Sequence, residues 1–203
     1  FGRFLAPNSI VGCGIEMAPE AEWSGVKAKY ELPDEYVLYL GRVSKAKVDK
    51  LLPYFLRCKA KYGGDAKLVL VGGFENEIRK FDSPDILFTG YVSDEEKTAI
   101  VRHATVMVNP SPMESLSLLM LEGMQSRIPL LVNGRSKVMK DHCRLSGAGL
   151  WYNNGRDFRK KLHRLLSDPE LRRTMSEKGP AYVREHYDWE IIIPKLRTLI
   201  ESI

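Results

Sequence analysis

Short apolar runs recur along the chain from about residue 36, and segments with the period of an α-helix separate them. Within each run nearly every side chain is apolar, which is typical of strands buried on both faces of a parallel sheet. The pattern predicts six strands, which are Tyr36–Leu40, Leu68–Val71, Ile86–Phe88, Thr105–Val108, Leu130–Val132 and Leu150–Tyr152. Strands that alternate with helices in this way predict a doubly wound, Rossmann-like α/β fold.

Helix boundaries in the sequence agree with this α/β pattern. Ser93 precedes a helical segment and Glu96 follows three residues later, a spacing typical of a capping box. Asp168 stands before Pro169, which places a capping side chain ahead of a proline at the first helical position. After the sixth predicted strand, helical segments continue to a last helix over Asp188–Ser202. The prediction is therefore a parallel sheet of about six strands with extra C-terminal helices.

The chain divides into three predicted parts. Residues 1–33 are rich in glycine, proline and alanine and are predicted to be a lead-in or interdomain linker. Residues 34–187 carry the pattern of one domain, and residues 188–203 form a separate C-terminal helix. The first residue is Phe1 and not methionine, so we expect the chain to lack its natural N-terminus. At 203 residues the chain can still bury a core of its own without disulfides or metal ions.

The charge of the chain is mildly basic and dispersed. Its 31 lysines and arginines exceed its 26 acidic residues, and the formal net charge of +5 suits phosphorylated ligands or an anionic surface. No RNP-type aromatic motif, zinc finger or arginine-rich arm accompanies this charge, so nucleic-acid binding is not predicted. One cationic cluster, Arg156–Arg164, has Phe158, Leu162 and Leu165 on the opposite helix face. It is interpreted as a solvated face, with peripheral membrane contact as the alternative.

The sequence contains three widely spaced cysteines, Cys13, Cys58 and Cys143. They are too few for a disulfide framework. This usage favours a reducing compartment. The sequence contains no apolar run of the roughly 20 residues that a membrane-spanning helix needs, and no signal-peptide pattern. We therefore expect a cytoplasmic protein, with the cytoplasmic membrane face as a second location. His142 beside Cys143 lacks further metal ligands in the sequence and is interpreted as structural.

Ligands of open parallel sheets bind outside the carboxyl ends of the strands, so the turns there are the candidate sites. The segment Gly41–Lys47 follows the first predicted strand and contains Arg42, Lys45 and Lys47 near a predicted helix start. Cations at a helix N-terminus oppose the helix dipole unless an anion is bound, which indicates a diphosphate site. The alternative is a set of ordinary solvated lysines. A glycine pair, Gly72–Gly73, follows the second strand and permits close approach of a ligand to the backbone.

A third candidate site follows the fourth predicted strand, where a proline-containing loop leads into a mostly apolar helix with one acid, Glu122. A buried carboxylate needs a hydrogen-bonding partner, because an unpaired one costs several kcal/mol or takes up a proton. Glu114 precedes this helix and can face a ligand, while the backbone N–H groups of Ser115, Leu116 and Ser117 can face an anion. The alternatives are a helix-dipole partner for Glu114 and a structural tie for Glu122.

These motifs together resemble those of the retaining GT-B glycosyltransferases of family 4, also called group 1. The similarity runs from about Ile10 to the C-terminus. It rests on two glutamates separated by seven residues and preceded by Pro-Ser, and on Gly41-Arg42 followed by Lys47. Three further segments match the family, which are Gly14-Ile15-Glu16, Phe88–Ser93 and Ile128–Val132. The resemblance implies the C-terminal, donor-binding half of a GT-B enzyme.

The resemblance also implies roles for individual residues. Glu114 would contact sugar hydroxyls of the donor, and Glu122 would accept hydrogen bonds from the ribose. Arg42 and Lys47 would hold the diphosphate and stabilise the leaving group as its charge develops. The backbone near Tyr91 and Val92 would contact the base. Taken with the turns described above, the predicted catalytic residues are Arg42, Lys47 and Glu114. The predicted donor-binding residues are Gly41, Lys45, Gly72, Gly73, Tyr91, Val92, Ser115, Leu116, Ser117 and Glu122.

Two departures from the family pattern affect the predicted site. The family usually has Glu-Gly-Phe-Gly after the first acid, whereas this chain has Glu114–Ser117, which makes the sugar pocket less predictable. The spacing from Arg42 to Lys47 is one residue shorter than usual, so Lys45 could take the place of Lys47. No metal or other cofactor is implied.

The expected activity is the transfer of a hexosyl group from a UDP- or GDP-linked sugar to an unknown acceptor. The resemblance places the acceptor site in an N-terminal domain that this chain lacks, to which the last helix would cross back. We therefore expect the isolated chain to bind nucleotide and to transfer little or no sugar. The alternatives are a non-catalytic nucleotide-sugar-binding module and one half of a GT-B-type sugar-nucleotide epimerase.

Overall fold

The computed structural model describes residues 12–73 and 83–201. The beginning of the predicted lead-in and the last two residues of the predicted terminal helix lie outside these ranges. All six predicted strands are present, with ends that differ from the predicted ones by at most two residues. Their bounds are β1 Tyr36–Leu40, β2 Lys67–Val71, β3 Ile86–Gly90, β4 Val106–Asn109, β5 Leu130–Asn133 and β6 Gly149–Tyr152.

The strands form one parallel sheet with the order β3-β2-β1-β4-β5-β6. The direction of winding reverses between β1 and β4, which are neighbours in the sheet. All five residues of β1 are buried, and its side chains enter two separate apolar clusters in alternation. Tyr36, Leu38 and Leu40 enter one cluster, while Val37 and Tyr39 enter the other. The prediction of a doubly wound sheet buried on both faces is confirmed.

Helices cover both faces of the sheet. Their bounds are α1 Trp23–Lys29, α2 Lys45–Val48, α3 Leu51–Tyr62, α4 Asp94–Arg102, α5 Leu118–Gln125, α6 Lys137–Ser146, α7 Gly155–Ser167, α8 Pro169–Tyr187 and α9 Trp189–Glu201. Buried residues of α3 and α7 share one apolar cluster, whereas those of α4, α5 and α6 belong to the other. The extra helices α8 and α9 follow the last strand, as predicted.

The predicted helix starts of α4 and α8 are confirmed. Ser93 accepts a hydrogen bond from the backbone of Glu96, whose carboxylate accepts one in return from the backbone of Ser93. Asp168 caps α8 by accepting a hydrogen bond from the backbone N–H of Leu171, and Pro169 is the first helical residue. Both devices satisfy backbone N–H groups that have no partner inside the helix.

The apolar face of α7 lies in the core. Phe158, Leu162 and Leu165 are fully buried, so this face packs on the sheet and is occupied in the folded domain. The cations of the Arg156–Arg164 cluster are thereby left on the outer side of the helix. A membrane could meet only that charged side of α7.

The segment predicted as a lead-in contains a helix that the sequence pattern did not reveal. Glu22 caps α1 by accepting hydrogen bonds from two backbone N–H groups, and Val26 is buried against the core. Lys29 Nζ lies 2.6 Å from an oxygen of Glu96 on α4. The helix has only seven residues, too short for its period to stand out from the surrounding glycines and prolines.

The last helix, α9, is only partly packed. Ile192 is the one buried residue of α9. Exposed apolar side chains lie along the rest of the helix, including Trp189, Ile193, Leu196 and Ile200. The ring of Trp189 packs over Gly14, where a Cβ atom would lie 2.3 Å from the ring. Throughout the described part of the chain, every helix is too short or too polar to cross a bilayer.

Candidate functional site

The turns after β1, β2 and β3 are joined to one another by backbone hydrogen bonds. Gly41 N donates to Val71 O at 3.0 Å, and Gly72 N donates to Gly90 O at 2.9 Å. Gly41 and Gly72 have φ values of +129° and +131°, which residues with a side chain rarely adopt. A Cβ atom on Gly72 would also lie only 2.3 Å from the carbonyl oxygen of Gly41. Glycine is thus required where the two turns touch.

The cations of the turn after β1 are presented by a very short helix. The predicted helix start is confirmed at Lys45, but α2 ends after four residues and the chain begins α3 at Leu51. Ser44 occupies the N-cap position without a side-chain hydrogen bond. Lys47 reaches across the sheet switch point, where its Nζ lies 3.9 Å from an oxygen of Glu114. The structure therefore joins two predicted site residues that are far apart in the sequence.

The loop between β4 and α5 is held by two asparagines at strand ends. Asn109 donates to Ser117 Oγ at 3.1 Å and accepts from Ser111 N at 3.0 Å. Asn133, at the end of β5, donates to Pro110 O at 2.9 Å. These bonds fix both ends of the loop that carries Glu114. Neither asparagine was predicted to have a role, although a polar residue directly after a buried apolar run was a detectable signal.

The helix after Glu114 begins later than predicted. Ser117 has a φ of +64°, in the left-handed region, so α5 starts at Leu118 and not directly after the acid. The backbone N–H groups of Ser115, Leu116 and Ser117 consequently belong to the loop and not to the first turn of a helix. A serine in this conformation is strained by roughly 1–3 kcal/mol, and such strain often marks functional sites.

One open cleft of about 460 Å³ lies at the switch point between β1 and β4. Predicted site residues that line it are Gly41, Arg42, Lys47, Glu114, Ser115, Leu116 and Ser117. Lys45 is exposed and does not line it, so the structure places Lys47 and not Lys45 at the cleft wall. The other predicted residues, which are Gly72, Gly73, Tyr91, Val92 and Glu122, are outside its lining.

Tyr39 also lines the cleft, and the sequence pattern does not reveal it. It lies near the end of β1, and its hydroxyl donates to the carbonyl of Arg42 at 2.9 Å. Burial, aided by the negative charge of Glu114, raises the pKa of Tyr39 to about 12. The hydroxyl is therefore neutral at physiological pH and can act as a donor to the turn. In sequence, a tyrosine inside an apolar run is not distinguishable from an ordinary core residue.

Glu122 lies on α5 and has the partner that burial requires. Its Oε1 lies 3.3 Å from Nζ of Lys97, which also lies 3.3 Å from Asp94. Its Oε2 is buried and accepts no hydrogen bond from the described part of the protein. The pairing matches the predicted structural tie, because it links α5 to α4. Lys97 was not predicted, because nothing in the helix pattern of α4 distinguishes it.

The turn after β3 lies beside the glycine pair. Tyr91 packs where a Cβ atom of Gly73 would be, with its hydroxyl oxygen 2.5 Å and two ring carbons 2.6 Å from that position. Tyr91 is nevertheless 86% exposed. Val43 N donates to Gly73 O at 2.9 Å, which ties this region to the turn after β1. Backbone hydrogen bonds therefore connect the predicted base-contacting turn, by way of the glycine pair, to the turn after β1 that lines the cleft.

The histidines and cysteines outside this site have structural surroundings. His142 is buried, its Nδ1 lies 2.8 Å from the hydroxyl of Tyr182, and burial lowers its pKa. Burial raises the pKa of Cys143 to about 12. His103 ends α4 and stacks on Trp23 with ring centroids 3.9 Å apart. Within residues 12–73 and 83–201, no three metal-ligating side chains come together.

Residues 25–182 match the family model for group 1 glycosyl transferases. The chain belongs to the group 1 glycosyltransferases. A relative of this glycosyltransferase domain, the alpha-D-kanosaminyltransferase of Streptomyces kanamyceticus, is 30% identical over 174 residues. That alignment covers 79% of this chain and 44% of the relative. The chain spans less than half the length of the curated relatives it matches.

Solved structures share the fold of this group 1 domain at low sequence identity. The sucrose-phosphate synthase of Thermosynechococcus elongatus superposes with a TM-score of 0.74 at 22% identity, covering 95% of this chain and 51% of that one. The Anabaena protein Alr3699/HepE, solved in complex with UDP, gives a TM-score of 0.74 at 13% identity, covering 89% and 52%. The family and fold that the sequence motifs indicated are therefore confirmed.

Proposed function

We propose that the chain is the donor-binding half of a retaining glycosyltransferase that takes a hexosyl group from a nucleoside diphosphate sugar. The observation that carries the proposal is the meeting of Arg42, Lys47 and Glu114 in one cleft at the sheet switch point. Group 1 membership supports sugar transfer as the reaction class. The complex of the related fold with UDP supports a nucleotide as part of the donor.

In this proposal Arg42 and Lys47 hold the diphosphate. When the bond between the sugar and the diphosphate breaks, negative charge develops on the leaving oxygen, and positioned cations stabilise it. The backbone N–H groups of Ser115, Leu116 and Ser117 supply further donors to the same region. The chain's own cations thus supply the charge neutralisation, and the proposal assigns no role to a metal ion.

The two glutamates take different parts of the donor. Glu114 is half-buried at the cleft wall and accepts hydrogen bonds from sugar hydroxyls. Glu122 Oε2, which has no described partner, accepts a hydrogen bond from a ribose hydroxyl. This binding would satisfy a buried oxygen that is otherwise costly to leave unpaired. The exposed ring of Tyr91, together with Val92, borders the place for the base.

We propose further that this chain binds nucleotide but does not transfer sugar by itself. Its relatives are more than twice as long as the region they share with it, and the acceptor side is assigned to that further length. Measurable transfer by the 203-residue chain alone would contradict this part of the proposal.

The test is a thermal-shift panel with UDP, GDP, ADP and CMP. A ligand at about 100 times its Kd stabilises the folded state by about 2.7 kcal/mol. For a domain of this size the melting temperature should then rise by several degrees. Glu122→Ala should abolish most of the shift, whereas Glu95→Ala, an exposed acid on α4, should preserve it. A panel without any shift would contradict the donor-site assignment.

Two rivals are separated by variants of a full-length parent enzyme. Glu114→Ala should lower its transfer rate by several orders of magnitude if the chain acts as a transferase half. Unchanged activity would favour a non-catalytic binding module. Conversion of the donor into an epimeric sugar nucleotide, without transfer to an acceptor, would favour the epimerase half.

A further inference from the structure

A second cleft, of about 310 Å³, opens beside the proposed donor cleft. It lies between the start of α3, the proline-containing loop after β4, and the turns after β5 and β6. Lys47 and Pro110 line both clefts. The two openings therefore adjoin at the carboxyl edge of the sheet, with one cation between them.

The lining of the second cleft is predominantly cationic. Lys47, Lys50 and Arg135 contribute three positive charges, and Asp49 is the one acid among the described lining residues. Lys50 and Arg135 are exposed, and neither forms an ion pair with a described residue. Lys50 also occupies the N-cap position of α3, where a cation opposes the helix dipole. An anion in the cleft would pair with these cations and would interact favourably with the positive end of the α3 dipole.

The walls of the second cleft are formed in advance by groups with fixed positions. Asn133 donates to Pro110 O and accepts from Arg135 N at 3.1 Å, so its side chain and the turn that carries Arg135 are held together. The ring of Tyr54 packs against Gly155, where a Cβ atom would lie 2.6 Å from the ring. An aromatic wall beside cations and side-chain amides suits a hydroxylated ligand that carries an anionic group.

We propose that the second cleft anchors the anionic group of the sugar acceptor, a phosphate or a carboxylate carried on a sugar or polyol. The rest of the acceptor binds to the further domain proposed above. This proposal rests on the proposed function, because it takes the neighbouring cleft as the donor site. Lys47 faces both clefts, so an acceptor anchored in the second cleft lies next to the bound donor. Lys50 and Arg135 are the anchoring residues, and the acceptor is selected by charge as well as by shape.

The test measures binding of three small probes to the chain saturated with the nucleotide that the thermal-shift panel identifies. The probes are glucose 6-phosphate, glucuronate and glucose. Their binding is followed through the amide chemical shifts of the protein in NMR titrations. Glucose 6-phosphate or glucuronate should move the amides of Arg135 and Asn154 and bind at least about tenfold more tightly than glucose. Tighter binding of glucose 6-phosphate would indicate an acceptor with a phosphate group, and tighter binding of glucuronate would indicate one with a carboxylate group.

Two double variants, each of which removes two positive charges, distinguish a specific site from a general effect of charge. Lys50→Ala with Arg135→Ala should weaken the charged probe at least about tenfold while leaving nucleotide affinity within about twofold. Arg57→Ala with Lys160→Ala, which removes exposed cations from α3 and α7, should leave the charged probe unaffected. Equal losses in both double variants, or equal binding of glucose, would overturn the proposal.

The outcomes also separate this proposal from the one on which it rests. Nucleotide binding without any probe binding would overturn the acceptor site and leave the donor site intact. Failure of every nucleotide to bind would overturn the donor site, and the acceptor assignment with it.

Discussion

The turn after β1 and the loop after β4 face each other across the sheet switch point, but they are held in place by different means. The turn is held by backbone hydrogen bonds from Gly41 N to Val71 O and from Val43 N to Gly73 O, and Gly72 lies so close to the carbonyl of Gly41 that no side chain fits on it. The loop is held by the amides of Asn109 and Asn133. The cations therefore stand on a rigid backbone, whereas Glu114 depends on a few side-chain hydrogen bonds.

This difference teaches where each part of the site is vulnerable. A substitution at a glycine contact cannot be relieved by rotating a side chain, because the opposing atom belongs to the backbone. A lost amide in the loop releases one segment and leaves the sheet intact. Damage to the turn should therefore appear as lost stability, and damage to the loop as lost recognition of the sugar.

The largest effect is expected for Gly72→Val. The new side chain would clash with the carbonyl of Gly41 and would also have to adopt a strongly positive φ. Together these should lower the free energy of unfolding by about 3 kcal/mol or more, measured by urea denaturation. Gly64→Val is the matched control, because Gly64 has a φ of +94° but nothing within 4 Å of its Cβ position. Equal losses in the two variants would show that the close contact is unimportant.

A smaller and more selective effect is expected for Asn109→Ala. Loss of its hydrogen bonds to Ser111 and Ser117 should free the loop that carries Glu114. Affinity for a nucleoside diphosphate glucose should fall about tenfold, while affinity for the free nucleoside diphosphate should fall less than about threefold. Calorimetric titration measures both constants. Asn153→Ala, in the turn after β6, serves as the control, and equal loss for both ligands would contradict the division of roles.

The next largest effect is expected for Lys97→Met, which tests a position outside the turn after β1 and the loop after β4. Without the ammonium group, Glu122 loses its one described partner and the carboxylate is less well positioned. Nucleotide affinity should fall about fivefold, and Lys97→Arg should restore most of it. Lys29→Met breaks a different lysine–glutamate pair, between Lys29 on α1 and Glu96 on α4, and should leave the affinity unchanged. If Lys97→Met binds nucleotide normally, Lys97 has no positioning role.

The smallest effect concerns pH and Tyr39. Its pKa is raised to about 12 in the folded protein, while an unfolded tyrosine ionises near about 10. The unfolded state therefore loses its proton first, and stability falls as the pH rises above about 10. Tyr39→Phe should lessen that loss by about 1 kcal/mol between pH 9 and 11, measured as the difference in unfolding free energy. An unchanged pH dependence would contradict the raised pKa.

Most of the scaffold could be predicted from the sequence, because its signals are local. Continuous apolar runs marked the six strands, and the caps at Ser93 and Asp168 marked two helix starts. The short helix α1 escaped prediction because seven residues show too little of a helical period. The start of α5 was predicted too early because the left-handed conformation of Ser117 depends on its surroundings.

The sequence by itself determined the parallel α/β fold, the family motifs and the positions of Arg42, Glu114 and Glu122 in the turns and helix after two strands. Only the tertiary structure decided that Lys47 and not Lys45 lines the cleft, that Lys97 pairs with Glu122, and that a second cationic cleft adjoins the first. The physical reason is distance along the chain. Burial and backbone preference are properties of neighbouring residues, whereas ion pairs and clefts arise where separate turns are brought together by the order of the strands.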